Sequence, residues 1–416
     1  MRRLAILLAL LAVAHDGAVA QLTIDKYCAE VVAYSHDLLR AEAAVSGAEA
    51  DMRRARKGRL PSLSMNSSVE LGFANRKGER QWNWMRRADI DQPIYTGGAV
   101  RAAIKSSEEM YNVAQYEAEE SYIDVAYEAR AAYWSLSRAE IFHHAVAEYR
   151  RIVATLRDVV LRRFEEGYTS KSDLLQVDSR LSDAEYQLSA AEQSYMLALH
   201  NFNVLRGVEP SQGVELSSSI LDSVAMPARL SIDRLLASHP EYAMSLASRE
   251  AARWGVKAAA APFIPSIGLN IYGYSQPSSP HVAGGGLKAD GGVMLNFNTP
   301  IFHFRERREA VRSAESRYRI SALEVESVAD RLSLAESDGW TNLQTSYSRV
   351  EATRRNLALA EENLSLSTYA YGEGSATILD VLQAQISWLQ IYTNAITAQY
   401  DYALAVATYR RITGDR

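Results

Sequence analysis

The segment RFEEGYTSKSDLLQ at 163–176 returns as AYGEGSATILDVLQ at 370–383. Setting Gly167 over Gly374 puts Asp173 over Asp380, Leu175 over Leu382 and Gln176 over Gln383. The match runs without a gap from Pro93 over Pro300 to Gly207 over Gly414, an offset of 207 residues. Upstream the offset is 204: RLPSL (59–63) lies over FIPSI (263–267), and the three-residue difference suits a surface loop. A chain duplicated over nearly its whole length must build its fold from two copies of one unit. The copies span 21–207 and 231–416. Residues 208–230, with Pro210, Gly213, Pro227 and a serine run, form the connector.

Within each copy the helical signal is long. Ala99 to Glu166 holds neither Gly nor Pro, and Phe304 to Tyr371 holds only Gly339. At about 1.5 Å per residue such a helix reaches on the order of 100 Å, the length of a coiled coil. Val146, Tyr149, Ile152, Val153, Leu156, Val159 and Val160 recur at three- and four-residue steps, as a packed stripe does. A second uninterrupted run follows each tip glycine, at Tyr168–Arg206 and Ser375–Thr413. A shorter helical pattern precedes each pair, at about 22–57 and 231–260.

Between Pro61 and Pro93 the period changes to two. Leu63, Met65, Val69 and Leu71 alternate with Ser62, Ser64, Asn66, Ser68 and Glu70. Ile267, Leu269 and Ile271 alternate with Ser266, Gly268 and Asn270, and Val293, Leu295 and Phe297 with Asn296 and Asn298. The strands are expected at about 62–73, 83–92, 266–276 and 290–299, the second weakened by Arg86 on its apolar side. Each copy thus reads helix, hairpin, long helix, tip, helix. Strands of about ten residues with one apolar and one polar face are the pattern of a transmembrane barrel, although a soluble sheet shows the same alternation. The intervening loops, at about 74–82 and 277–291, are polar and glycine-rich, and the reading places them on the cell exterior. Trp82 and Trp84 near a strand end fit an interfacial aromatic belt.

The first residues carry an export signal: Arg2-Arg3, an apolar run from Leu4 to Ala14, and Ala18-Val19-Ala20 before Gln21. Residues 1–20 are therefore expected to be removed. No later stretch reaches 18 apolar residues, so the exported chain is either soluble or crosses a membrane as strands. Cys28 is the only cysteine, which excludes an internal disulfide framework. The net charge of −5 comes without a block of like charges, and nothing points to nucleic acid. His143-His144 has no metal-ligand spacing, no nucleophile motif occurs, and no cofactor or enzyme activity is expected.

Four strands do not close a barrel, and lipid does not tolerate an open strand edge. Eight strands from two chains would leave an interior filled by side chains, whereas twelve from three chains leave a passage. A homotrimer is the smallest cyclic assembly that meets this.

The export signal, the paired blocks PSL…DQPIYTGG and PSI…NTPIF, and the tips RFEEG…DLLQ and YGEG…DVLQ together resemble the TolC-type outer-membrane efflux proteins. The resemblance covers essentially the whole chain after the export signal. It implies a mainly α fold with a small transmembrane β-barrel part, assembled as a trimeric α-barrel/β-barrel channel-tunnel. It further implies a place in the outer membrane of a Gram-negative-type bacterium, with a long periplasmic part. Its partners would be outer-membrane lipid, a periplasmic adaptor protein and an inner-membrane transporter, in a pump that exports small molecules. A protein-secretion exit duct is the alternative, and an exported coiled-coil scaffold or adhesin the rival of another class.

By the same resemblance Gly167 and Gly374 turn the helix pairs at the periplasmic mouth, where the adaptor docks. Asp173 and Asp380, expected one to two turns into the following helices, would line the constriction with Tyr371 and Gln383. Gln383 and Ala376 stand where several family members carry an aspartate and a latching arginine. The residues alone also allow a simpler reading, in which each aspartate favours the positive end of its own helix.

Overall fold

The computed structural model describes residues 21–72, 81–277 and 287–415. Residues 1–20, read as an export signal, and most of the two loops expected on the cell exterior lie outside the described residues, as does the side chain of Trp82.

In chain order the elements are α1 (Ile24–Tyr34), α2 (His36–Lys57), β1 (Ser62–Gly72), β2 (Gln81–Thr96), α3 (Ala99–Glu165) and α4 (Lys171–Leu205). After the connector come α5 (Ile232–Ser238), α6 (Pro240–Ala260), β3 (Ser266–Pro277), β4 (Leu287–Asn298), α7 (Glu306–Gly372) and α8 (Ile378–Thr413). α3 and α7 each have 67 residues. The same series, helices, hairpin, long helix, helix, occurs twice.

The chain divides into two compact units. One comprises the described residues up to Leu38, together with Ser121–Ile232 and those from Leu334 on. Its cores are built between helices. Tyr27 stacks on Phe202 with ring centroids 3.8 Å apart, among Val125, Ala129, Tyr133 and Leu199. Tyr149, Val153, Ala184, Ala360 and Trp388 form a second cluster, and Leu343, Val350, Tyr402 and Val406 a third. Frequent buried alanines allow the helices to approach closely.

The connector is fastened into this unit. The Leu22 amide donates to Glu215 O at 2.8 Å, and Ser137 Oγ accepts from the Ile220 amide at 2.7 Å. Further on, Arg229 forks onto Glu336 at 3.0 and 3.1 Å. Tyr409 donates to the same carboxylate at 3.1 Å and accepts from the Leu230 amide. The Glu336 side chain is 1% exposed, so its charge is taken out of water and met by two donors.

The other unit, Leu39–Glu120 and Asp233–Ser333, holds the sheet, which is antiparallel in the order β1-β2-β3-β4. Register places Leu63 opposite Ile90, Ile90 opposite Ile271 and Ile271 opposite Val293, so one face is apolar across all four strands. The other face carries Ser64, Asp89, Asp91 and Asn270, where Asn270 donates to Asp89 at 3.1 Å and to Asp91 at 2.8 Å. β2 outruns the expected 83–92 because a bulge between Pro93 and Tyr95 absorbs the proline. Arg86 stays on the apolar face by laying its guanidinium over Trp84, 5.3 Å from the ring centroid.

The apolar face is uncovered. Leu63 is 75% exposed, Val69 70% and Phe297 69%. Each such side chain forgoes about 1.5–3 kcal/mol that burial would supply, and a contiguous patch of them marks contact with something apolar. No helix among the described residues is long and apolar enough to cross a membrane.

Candidate functional site: the paired helix turns

Two helix–helix turns, α3 to α4 and α7 to α8, carry the duplicated tip segment. Each long helix ends the same way. The Tyr168 amide donates to Arg163 O at 2.8 Å and the Gly167 amide to Phe164 O at 3.0 Å. In the second copy Ser375 donates to Ala370 O at 2.9 Å and Gly374 to Tyr371 O at 3.1 Å. These are Schellman closures, which need a left-handed residue. Gly167 has φ +82° and Gly374 φ +77°, with open space where a Cβ would stand. Conformation alone therefore selects glycine at both turns.

The following helices also begin alike. Ser170 and Thr377 are N-caps, and Asp173 and Asp380 return the bond to complete two capping boxes. Asp173 Oδ2 accepts from Thr169 Oγ1 at 2.7 Å and from the Ser170 amide at 3.2 Å. Asp380 Oδ2 accepts from Thr377 Oγ1 at 2.7 Å and from its amide at 2.8 Å. The Thr169 hydroxyl, followed by Ser170, holds the Asp173 carboxyl below the usual aspartate range; Thr377 does the same for Asp380. Both aspartates thus sit in the first turn of their helices, earlier than the one to two turns expected, because capping starts α4 at Lys171 and α8 at Ile378.

The turns share a core. Leu156 and Val160 of α3, Val177 of α4, Tyr371 of α7, and Ile378, Val381 and Leu382 of α8 are buried together. Ala376 packs against them from the edge. Tyr371 is therefore an interior residue of the protomer. Asp380 and Gln383 are exposed. Gln383 and Leu379 line a groove with Gln176, Leu175 and Arg180 of α4.

One residue escapes a reading of the sequence. Arg163, in the last turn of α3, donates to Tyr371 O at 3.1 Å and to Gly372 O at 2.7 Å. Its guanidinium also lies 4.8 Å from the Tyr371 ring centroid. It thereby caps the carbonyl end of a helix from the other copy, where a cation is favoured. The available signal was asymmetry: its counterpart at the 207 offset is Ala370, which has nothing to donate.

The chain matches the family model described as outer membrane efflux protein over residues 29–207 and 231–415, one stretch in each copy. Outer membrane efflux protein BepC of Brucella suis biovar 1 is 24% identical over 338 residues, covering 79% of this chain and 72% of that protein. Alkaline protease secretion protein AprF of Pseudomonas aeruginosa is 24% identical over 258 residues, covering 61% of this chain and 53% of that one. The fold is that of CusC, whose crystal structures follow folding and transmembrane channel formation: TM-score 0.84 at 18% identity, covering 97% of this chain and 95% of that one. The family model takes in nearly all of both copies, and this chain belongs to the outer membrane efflux protein family, whose members are outer-membrane channels and not enzymes.

Proposed function

We propose that the chain is the outer-membrane exit duct of a tripartite efflux pump, working as a homotrimer that exports small molecules. The observation that carries this reading is the four-stranded sheet, apolar on one face, polar on the other and open at β1 and β4. Such a sheet is stable in lipid only when other copies close it, and its polar face then lines a passage. In this reading the turns at Gly167 and Gly374 form the periplasmic mouth, where a periplasmic adaptor engages and links the duct to an inner-membrane transporter. The exposed Asp380 and Gln383 face the axis there. Asp173 lies further from it, and Tyr371 holds the wall behind them. Three copies of Asp380 around one axis favour cations and repel anions.

A second reading is a protein-secretion exit duct, favoured by the similarity to the alkaline protease secretion protein AprF. Both are tested by isolating the tagged chain from cross-linked cells. The efflux reading expects an adaptor and a small-molecule transporter to copurify, and loss of the chain to raise sensitivity to toxic small molecules. Copurification with a protein-secreting transporter, and loss of an exported protein without a change in sensitivity, would favour the second reading.

A further inference from the structure

Helices α3, α4 and α8 leave a cavity of about 560 Å³ between them, inside one of the two compact units. That volume falls among those of small-molecule sites, about 300–1,000 Å³. Ser135, Arg138 and Phe142 line it from α3, Asn201 from α4, and Ile396 and Thr397 from α8. Steps of three and four residues put the first three on one side of α3. Ile396 is 1% exposed and closes the floor, whereas Leu197 of α4, 60% exposed, stands at the rim.

Among the described residues of this lining, Arg138 alone is charged. Its guanidinium lies 4.4 Å from the centroid of the Tyr400 ring. Tyr400 packs in turn against the core of Tyr27, Tyr133 and Phe202, which fixes the platform. The attraction between cation and ring holds the guanidinium without satisfying any of its N–H donors. Among the described residues Arg138 makes no ion pair and no hydrogen bond. Donors left unmet in a partly enclosed site call for an acceptor. The duplication supplies none. At the 207 offset Arg138, Phe142 and the lining residue Ser194 correspond to Thr345, Arg349 and Asp401. The second copy therefore carries a cation and an acid at these positions, and the first a cation alone.

We infer that this cavity binds a small organic monoanion, a carboxylate on an apolar body. The carboxylate sits on Arg138, whose planar fork matches two oxygens. The body lies against Phe142 and Ile396, and Ser135, Asn201 and Thr397 offer further donors at the wall. One cation with no second beside it suits a single negative charge better than the nearly double charge of a phosphate monoester. The site is built within one chain, so its failure would leave the channel reading standing.

The test is isothermal titration of the full chain in nanodiscs at pH 7, with naphthoate, the neutral naphthamide of nearly the same shape, and naphthyl phosphate. The parent is expected to bind naphthoate about tenfold more tightly than naphthamide, and naphthyl phosphate no more tightly than naphthoate. Arg138→Gln should bring naphthoate to the affinity of naphthamide and leave naphthamide within about twofold of its parent value. Arg138→Lys keeps the charge, loses the fork and should restore only part of the preference. Thr397→Phe fills the cavity and should weaken both probes about tenfold, an independent check should the Arg138 variants fail to fold. Equal affinities for naphthoate and naphthamide in the parent, or a preference that survives Arg138→Gln, overturns the site. Tighter binding of naphthyl phosphate overturns its assignment to a monoanion. A parent that takes up neither probe overturns it too, and loss of oligomer in Arg138→Gln by native mass spectrometry would then assign Arg138 to an acidic side chain of a second copy.

Discussion

Asp173 and Asp380 each serve the helix they start, and that service governs how they titrate. Thr169 and Ser170 lower the one carboxyl and Thr377 the other. The stability so contributed is present at neutral pH and above the unfolded aspartate value near 3.9, and is lost as pH falls through the lowered folded value. Ser170→Ala removes one cap acceptor and costs about 1 kcal/mol of local stability, read as faster amide exchange over 170–174. Gly374→Ala forces a Cβ into the left-handed region and costs about 1–2 kcal/mol, whereas Gly374→Asn costs less; exchange of the Ser375 amide ranks the three. Arg163→Met keeps the packing stem and loses the donors to Tyr371 O and Gly372 O. Faster exchange in the last turn of α7, with the rest of that helix unchanged, is the expected outcome. At this scale the aspartates and glycines were legible because duplication aligned them. Arg163 was not, since its function depends on a helix more than 200 residues away in sequence.

The elements themselves were legible for two different reasons. α3 and α7 show in the sequence as the absence of breakers, and the strands show as period-two alternation. β2 was the element least well bounded. Its end at Thr96 depends on pairing with β3 and on a bulge, both of which are tertiary facts. The connector looked like a loop by composition, yet Arg229, Leu230 and Ile220 are each hydrogen-bonded to helices of its unit. The Arg229–Glu336–Tyr409 cluster gives this a measurable form. Arg229, then Tyr409, lowers the Glu336 carboxyl, so the cluster stabilises the fold above the unfolded glutamate value and ceases to do so in acid. Arg229→Met leaves a buried carboxylate short of its cation and lowers the unfolding temperature at pH 7. The loss shrinks when Glu336→Gln is added. Thermal unfolding of the two variants and the parent, at pH 7 and pH 4, measures both effects.

For the whole molecule, the open sheet is the feature that no single chain satisfies. The family identity and fold were legible from the order and spacing of short paired motifs, which survive where overall identity is low. Assembly is a proposal from strand count and closure, and it predicts a three-chain complex in detergent by native mass spectrometry. A stable monomer or dimer would refute it. The proposed trimer encloses a conducting passage whose mouth carries Asp380. Planar-bilayer recording under a salt gradient tests it most directly, comparing the parent with Asp380→Asn, which keeps an acceptor at the helix start. Stepwise conductance and a cation-selective reversal potential are expected in the parent. That potential should hold from pH 7 to pH 5, weaken below about pH 4, and move toward zero in Asp380→Asn. Absence of conductance, or a reversal potential unchanged by Asp380→Asn, would contradict it.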